Sequence, residues 1–194
     1  AVKIGMLSCR EGMLAVKRKL RRWKPANVVI DPVMYAKNGC ALMDPDSIDT
    51  LIAEIVPLAD VLTPNIPEAE KITGVHIHTQ EDMERAARCI HEMGCRAALV
   101  KGGHSKGDAT DILFDGTEFH RFTSPRIQTK NTHGTGCTYS SAIAANLALG
   151  MSEQQAVEHA KKYVTTAIAH SLDIGKGHGP THHFYDLYKY LGEE

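Results

Sequence analysis

Strand-like and helix-like segments alternate along most of this chain of 194 residues. The segments 27–31 and 96–101 each contain a continuous apolar run, which is typical of strands that are buried on both faces. The segment 79–93 instead repeats its apolar residues at helical spacing. Because parallel neighbours in a sheet must be joined by a crossover, usually a helix, this alternation predicts an α/β fold with a mainly parallel sheet.

The same patterns predict the positions of the individual elements. Strands are expected at 2–7, 27–31, 60–63, 96–101 and in two runs within 112–119. Helices are expected at 11–23, 48–55, 68–72, 79–93, 136–149, 152–170 and 184–191. The pair Asp115-Gly116 between the last two strand runs is a strong hairpin signal, so an antiparallel edge should follow the parallel strands. Without a repeat, a low-complexity tract or a linker, a single domain over 1–194 is the simplest account.

The composition bears on whether the chain binds nucleic acid or a membrane. The net charge is −1 and the sequence pI is about 6.9. The basic run 17–22 lies on a predicted amphipathic helix, whose solvated face would carry those same charges. No apolar run reaches the length of about 18 residues that a transmembrane helix needs. We therefore expect neither nucleic acid nor a membrane as a partner.

The cysteines and histidines argue against a zinc protein. The five cysteines contain no CxxC pair, and no HExxH motif accompanies the 11 histidines. The odd number of cysteines leaves one thiol over in any disulfide scheme. Reduced thiols in a cytoplasmic protein fit this pattern best.

The segment 131–138 joins small residues to a helix rich in Ala and Leu. The first backbone N–H groups of that helix should fall at 134–137, where they and the helix dipole favour a phosphate. Gly134 and Gly136 allow a close backbone approach, and Cys137 stands at the junction as a candidate catalytic base. The alternative is structural, with the glycines only shaping a turn and Cys137 serving as a small buried helix residue.

Polar residues also follow the carboxyl ends of the predicted strands, where ligands bind in open parallel sheets. Besides Cys137, this set contains Asp31, Asn65, Glu68 and Lys101. Together these residues could hold a nucleotide, a divalent cation and a phosphoryl acceptor. Taken singly, each has an ordinary explanation: Asp31 as the cap of a turn, Glu68 as a favourable residue at a helix N-terminus, and Lys101 as a solvated charge.

Six segments of the chain form an ordered set, at 2–7, 31–34, 63–70, 100–104, 133–138 and 177–180. Together they closely resemble the hydroxymethylpyrimidine/phosphomethylpyrimidine kinases of thiamine biosynthesis, which belong to the ribokinase-like superfamily. The resemblance implies a ribokinase-like three-layer α/β/α fold with a mainly parallel central sheet and an antiparallel C-terminal edge hairpin. It also implies phosphorylation of 4-amino-5-hydroxymethyl-2-methylpyrimidine and then of its monophosphate, with ATP and Mg²⁺ as cofactors.

The resemblance assigns roles at the reacting groups. Cys137 would deprotonate the hydroxyl of the acceptor, while the N–H groups of Gly134, Thr135, Gly136 and Cys137 would stabilise the transferring phosphoryl group. Many members of the superfamily have an aspartate where this chain has Cys137, so the cysteine itself favours the pyrimidine kinases.

The resemblance also assigns binding residues. Asn65 and Glu68 match an Asn-x-x-Glu element that organises magnesium and the nucleotide phosphates, and Asp31 would support that metal site through water. Lys101 would lie near the phosphates of ATP. The remaining matches are Gly177, His178, Gly179 and Pro180 near the nucleotide base, and Met6 and Val33 in the pyrimidine pocket.

One departure from the family pattern affects the expected domain. Family members normally begin with a strand and a Gly-rich segment, and neither precedes Ala1 in this sequence. We therefore expect a single domain that lacks its N-terminal strands and lid, and we expect the intact protein to be a homodimer. Two alternatives stay open: a pyridoxal or pyridoxine kinase on the same scaffold, and a non-catalytic nucleotide-binding fragment.

Overall fold

The computed structural model describes residues 1–36, 39–103 and 107–192, so His104 of the segment 100–104 lies outside the described residues. Within these ranges the chain forms one six-stranded sheet whose strands follow each other in chain order. The strands are β1 Val2–Ile4, β2 Val28–Ile30, β3 Val61–Leu62, β4 Ala97–Val100, β5 Ala109–Phe114 and β6 Phe119–Ser124. Strands β1 to β4 are parallel, and β5 and β6 are antiparallel to their neighbours.

Seven α-helices connect and cover these strands in the described ranges. They are α1 Arg10–Trp23, α2 Ile48–Thr50, α3 Ile66–Thr73, α4 Gln80–Glu92, α5 Thr135–Ala148, α6 Glu153–Ala169 and α7 Tyr185–Leu191. Helix α2 is a single turn that continues into a π-helical segment, Leu51–Ile55. Pro57 follows that segment, and a proline lacks the N–H and clashes with the carbonyl group that a regular α-helix would place there. The helical register therefore changes before Pro57.

The two faces of the sheet bury separate sets of apolar residues. Val28, Ile30 and Leu62 pack on one face against residues of the helices α1, α3 and α4. Val29 and Val61, which alternate with them, pack on the other face against α5 and α6. Since successive side chains of a strand point to opposite faces, the continuous apolar runs of β2 and β4 serve both layers. The structure thus confirms the predicted three-layer α/β/α arrangement.

The β5–β6 hairpin confirms the predicted antiparallel edge. Gly116 in its turn has a φ of +96°, a backbone conformation that favours glycine. The side chain of Asp115 accepts hydrogen bonds from the N–H groups of Thr117 and Glu118, each at 2.8 Å. Both strands extend further than the predicted range 112–119. The added positions, 109–111 and 120–124, are mostly polar and contain no continuous apolar run, so the apolar pattern does not mark them.

Two further features bear on the class of protein. In the described part of the chain, no helix combines the length and the apolar character that crossing a membrane requires. Cys9, Cys89, Cys95 and Cys137 carry free thiols in the structure.

Candidate active site

The carboxylate of Asp31 is the centre of a buried polar cluster at the carboxyl edge of the sheet. Asp31 directly follows β2 and is only 2% exposed. The ammonium group of Lys101 donates to Asp31 Oδ1 over 2.9 Å, and the hydroxyl of Thr63 donates to the same oxygen over 3.2 Å. The hydroxyl of Ser140 lies 3.3 Å from Oδ2. A buried carboxylate needs such partners, and these hold its position firmly.

Lys101 is part of this cluster and is not a solvated surface charge. Its side chain is 13% exposed and forms an ion pair with Asp31. Its backbone N–H donates to the carbonyl oxygen of Pro64 over 2.8 Å, and Lys101 forms a parallel β-bridge with Asn65. The chain after β4 is thereby fixed to the chain after β3, which places the ammonium group above the sheet edge.

The N-terminus of α5 has no side-chain cap. Its N-cap residue, Gly134, has a φ of +81° and makes no capping hydrogen bond through a side chain. The N–H of Thr138 donates to the carbonyl oxygen of Gly134 over 2.9 Å, which closes the first turn. The N–H groups of Gly136 and Cys137 precede that bond, so they lack acceptors within the helix and point out of its positive end. This geometry favours an anionic group.

The first turn of α5 lies directly beside the Asp31–Lys101 pair. A Cβ atom added to Gly136 would stand 3.5 Å from the Lys101 ammonium nitrogen and 3.7 Å from Asp31 Oδ2. The next residue, Cys137, is exposed, so its thiol does not lie within the packed core. The structure therefore places the first turn of α5, which carries Cys137, beside Lys101 and Asp31 at one edge of the sheet.

Asn65 and Glu68 form a capping box at the start of α3. Asn65 Oδ1 accepts the N–H of Glu68 over 3.0 Å, and Glu68 Oε2 accepts the N–H of Asn65 over 2.9 Å. The other carboxylate oxygen of Glu68 lies 3.4 Å from the N–H of Met34. Glu68 thus stabilises a helix N-terminus, which is the structural role that the sequence also allowed for it.

Glu68 is nonetheless an unusual capping residue because it is buried. Burial raises the pKa of the Glu68 carboxyl above its ordinary value. The positive charge of Lys101 and the hydrogen bond from Asn65 oppose that shift, while the negative charge of Asp31 adds to it. The Glu68 carboxyl therefore lies within electrostatic range of the Asp31–Lys101 pair.

The segment 177–180 contacts the chain that leads into α5. The N–H of Gly179 donates to Asn131 Oδ1 over 3.0 Å, and the N–H of His133 donates to the carbonyl oxygen of Gly179 over 3.1 Å. A Cβ atom on Gly179 would stand 2.5 Å from Asn131 Oδ1, so only glycine fits. His178 Nδ1 lies 3.0 Å from a backbone carbonyl oxygen of the same chain segment. Pro180 pairs with His133, whereas the space around Gly177 is open.

Met6 and Val33 lie at the same edge of the sheet, after the carboxyl ends of β1 and β2. Met6 is 55% exposed and Val33 is half-buried. Their apolar side chains are available to a ligand at this edge, and their contact with a pyrimidine stays a prediction.

Two members of the buried cluster, Thr63 and Ser140, are not among the predicted site residues. Thr63 directly follows β3, at the carboxyl end of a parallel strand where ligands bind, and Ser140 follows Gly136 by four residues on the same helix. The sequence rules that select Asp31 and Gly136 could therefore have selected both residues. A residue four places along a helix lies on the same face, which is why Ser140 points at Asp31 as Gly136 does.

The described residues contain no group of three or more His, Cys, Asp or Glu side chains arranged to hold a metal ion. The oxygens of Asp31 and Glu68 already accept hydrogen bonds, from Lys101 and Asn65 among others. Mg²⁺ usually keeps several of its waters in proteins and is held by one or two carboxylates. The two carboxylates therefore fit contacts to a magnesium ion through its waters.

Comparisons with known proteins identify the family of this chain. A family model described as phosphomethylpyrimidine kinase matches residues 1–182. The hydroxymethylpyrimidine/phosphomethylpyrimidine kinase of Rhizobium meliloti is 50% identical over 193 residues, which cover 97% of this chain and 72% of that protein. The thiamine biosynthesis bifunctional protein ThiED of Geobacter sulfurreducens is 51% identical over 94% of this chain, which spans only 37% of that longer protein.

Solved structures share the fold. The pyridoxal kinase of Staphylococcus aureus in complex with AMP-PCP and pyridoxal matches with a TM-score of 0.86 and 31% identity, over 95% of this chain and 67% of the other. The phosphomethylpyrimidine kinase of Clostridium difficile matches with a TM-score of 0.77 and 43% identity, over 87% of this chain and 68% of the other. The predicted ribokinase-like fold is thereby confirmed, and the chain belongs to the phosphomethylpyrimidine kinase family.

Proposed function

We propose that this chain transfers the γ-phosphoryl group of ATP to 4-amino-5-hydroxymethyl-2-methylpyrimidine and then to its monophosphate, in the cytoplasm. The observation that carries the proposal is the exposed Cys137 thiol at the uncapped start of α5, beside the buried Asp31–Lys101 pair. Phosphoryl transfer depends mainly on positioning and on compensation of negative charge, and these are the elements that the site supplies.

Cys137 and its neighbours carry the proton transfer and the charge. The hydroxyl oxygen of the acceptor attacks the γ-phosphorus, the bond from phosphorus to the β–γ bridging oxygen breaks, and ADP leaves. The Cys137 thiolate takes the proton of the hydroxyl. The N–H groups of the segment 134–137 donate to the transferring phosphoryl oxygens, and the Lys101 ammonium group compensates the charge of the ATP phosphates.

The buried carboxylates complete the nucleotide site. Asp31 and Glu68 would hold a magnesium ion through its waters, and that ion would supply positive charge to neutralise the nucleotide phosphates. We expect Gly177, His178, Gly179 and Pro180 to lie near the nucleotide base, as the family resemblance implies. The contact of Gly179 with the chain that leads into α5 supports this placement. The complex of the S. aureus pyridoxal kinase with AMP-PCP supports the use of ATP by this scaffold.

Cys137→Ala tests this assignment of the base. We expect turnover to fall by about 10²–10⁴-fold, the usual contribution of a general base, while the affinity for ATP is largely kept. The measurement is a coupled ATP-consumption assay, with nucleotide affinity from calorimetry. The matched control is Cys89→Ala, which removes a half-buried thiol on α4 and should leave turnover unchanged. Unchanged turnover in Cys137→Ala would remove this thiol from the mechanism.

A second candidate function is phosphorylation of pyridoxal. The S. aureus pyridoxal kinase has a TM-score of 0.86 against this chain, so one scaffold accommodates both acceptors. The same assay with hydroxymethylpyrimidine, its monophosphate, pyridoxal and pyridoxine as acceptors separates the two functions. We expect the ratio kcat/KM to be highest for the pyrimidines. Binding of ATP without transfer to any acceptor would instead favour a nucleotide-binding role alone.

A further inference from the structure

A second buried ion pair lies behind the site, on the face of the sheet that α5 and α6 cover. Lys161 of α6 donates through its ammonium group to Asp111 Oδ2 over 2.7 Å and to the carbonyl oxygen of Ala109 over 2.8 Å. The side chains of Asp111 and Lys161 are 4% and 10% exposed. The proposed reaction uses neither residue.

The other carboxylate oxygen of Asp111 binds the backbone next to Lys101. Its Oδ1 accepts the N–H of Gly102 over 2.8 Å, and Gly102 directly follows Lys101. The β4–β5 ladder is regular as far as the pair Val100↔Ile112. Beyond that pair, the N–H of Gly102 donates to the side-chain carboxylate of Asp111.

Gly102 itself is packed against β5 without room for a side chain. A Cβ atom added there would stand 1.8 Å from the carbonyl oxygen of Thr110. The position of Gly102 is therefore set by contact with the β5 backbone and by the hydrogen bond to the Asp111 carboxylate, which is also on β5. A shift of either would move the backbone of Lys101, whose ammonium group pairs with Asp31.

The pair also faces α5. The hydroxyl of Tyr139 is buried beside the Asp111 carboxylate. Burial raises its pKa well above the ordinary value, and the nearby Asp111 carboxylate adds to the effect. Tyr139 precedes Ser140, which contacts Asp31. The Asp111–Lys161 pair thus lies between α5, α6 and the end of β4, the elements that bound the site.

Stability alone does not account for this pair. Taking two charges out of water is costly, and a buried ion pair is often no more stabilising than apolar side chains of similar volume. We propose that Asp111, neutralised by Lys161, is a positioning residue that fixes the Gly102 backbone and thereby holds Lys101 in place for phosphoryl transfer. This inference rests on the proposed function, because Lys101 acts there on the ATP phosphates.

Two double variants separate positioning from simple packing. Asp111→Leu with Lys161→Met removes both charges and the acceptor of the Gly102 N–H. Asp111→Asn with Lys161→Met also removes both charges but keeps an oxygen acceptor for that N–H. The control variant Arg121→Gln breaks a half-exposed ion pair with Glu84, away from the site.

The measurements are kcat and KM with a pyrimidine acceptor, and hydrogen exchange of the backbone at 98–103 in the native protein. We expect exchange at Gly102 to be about fivefold or more faster in the Leu/Met variant, the ratio expected for one net hydrogen bond. We expect kcat of that variant to fall by about tenfold to 10²-fold, as misplacement of a charged group by about 1 Å can cause. The Asn/Met variant and the control should stay close to the wild type in both measurements, and KM for the acceptor should not change.

Each outcome decides between positioning and packing. Equal kcat and equal exchange in the two folded double variants would overturn the proposal, and so would the failure of both to fold, because the pair would then serve the fold itself. If the wild type transfers no phosphoryl group, the proposed function fails. In that case, exchange at Gly102 that is faster in the Leu/Met variant but not in the Asn/Met variant would still support Asp111 as the residue that fixes this backbone.

Discussion

Lys101→Met should destabilise the protein strongly, because it leaves the Asp31 carboxylate buried without its opposite charge. Asp31 is 2% exposed and the Lys101 side chain is 13% exposed, so water can replace little of the lost interaction. Methionine retains most of the hydrocarbon part of the lysine side chain. The variant therefore reports mainly on the missing charge.

The structure sets the expected size of this effect. Removing one partner of a buried ion pair costs about 3–5 kcal/mol. The hydroxyls of Thr63 and Ser140 remain within 3.2 Å and 3.3 Å of the carboxylate and keep it partly satisfied. We therefore expect a loss at the lower end of this range, about 3 kcal/mol of the free energy of unfolding. Adding Asp31→Asn removes the unpaired charge, and should recover about 2 kcal/mol of that loss.

Urea denaturation followed by circular dichroism measures these free energies for the wild type, both single variants and the double variant. The resulting double-mutant cycle isolates the energy of coupling between Asp31 and Lys101. Arg121→Gln is the control, since its half-exposed pair with Glu84 should contribute nothing measurable. A loss below about 1 kcal/mol for Lys101→Met, the range of exposed pairs, would refute the reasoning.

Three further predictions concern single groups. The raised pKa of Glu68 means that the folded state holds this proton more tightly than the unfolded state does. The stability that this group contributes is present below pH 4.5 and is lost as pH rises through the raised value, so the free energy of unfolding of the wild type should fall relative to that of Glu68→Gln. Urea denaturation of both proteins across that pH range measures the difference. Burial raises the pKa of the Cys95 thiol to about 12, so this thiol should resist a disulfide reagent in the native protein and react after unfolding, as read by mass spectrometry; labelling in the native state would contradict its burial. Gly102→Ala places a methyl group 1.8 Å from a backbone oxygen and should lower the free energy of unfolding by about 3 kcal/mol or more, whereas Gly177→Ala, which meets nothing within 4 Å, should lower it by less than about 1 kcal/mol; equal losses would contradict the packing described for Gly102.

Local sequence signals are sufficient to predict most of the fold. The predicted helices at 79–93 and 152–170 and the Asp115-Gly116 turn depend on residues within a few positions of each other. The structure has helices at both places, with Thr79 and Ser152 as their N-caps, and it has the turn where the sequence predicts it. The π-helical segment Leu51–Ile55 is not predicted, because its apolar spacing suits a regular α-helix equally well. Pro57, which a regular α-helix does not accommodate, indicates the irregularity, but this residue follows the segment and is not part of its apolar pattern.

Sequence rules likewise predict some residues of the site and miss others. Ligands bind at the carboxyl ends of parallel strands, and this rule predicts that Asp31, Lys101 and Cys137 lie at one edge of the sheet. In the structure, Asp31 and Lys101 pair at that edge beside the first turn of α5, which carries Cys137. The Asp111–Lys161 pair cannot be predicted in this manner, since its members are 50 residues apart and lie on a strand and a helix of different layers. Only the packing of α6 against the sheet brings these two charges together.

The consecutive order of the six strands affects how the protein is made. Each strand pairs with the one that precedes it in the chain, so a chain growing on the ribosome can add strands one at a time to a sheet that already exists. The residues that cover the second face come from α5 and α6, which begin only at Thr135. Until they emerge, Val29, Val61 and Leu99 line an open apolar surface. Nascent chains that stop before Thr135 are therefore expected to aggregate or to need a chaperone.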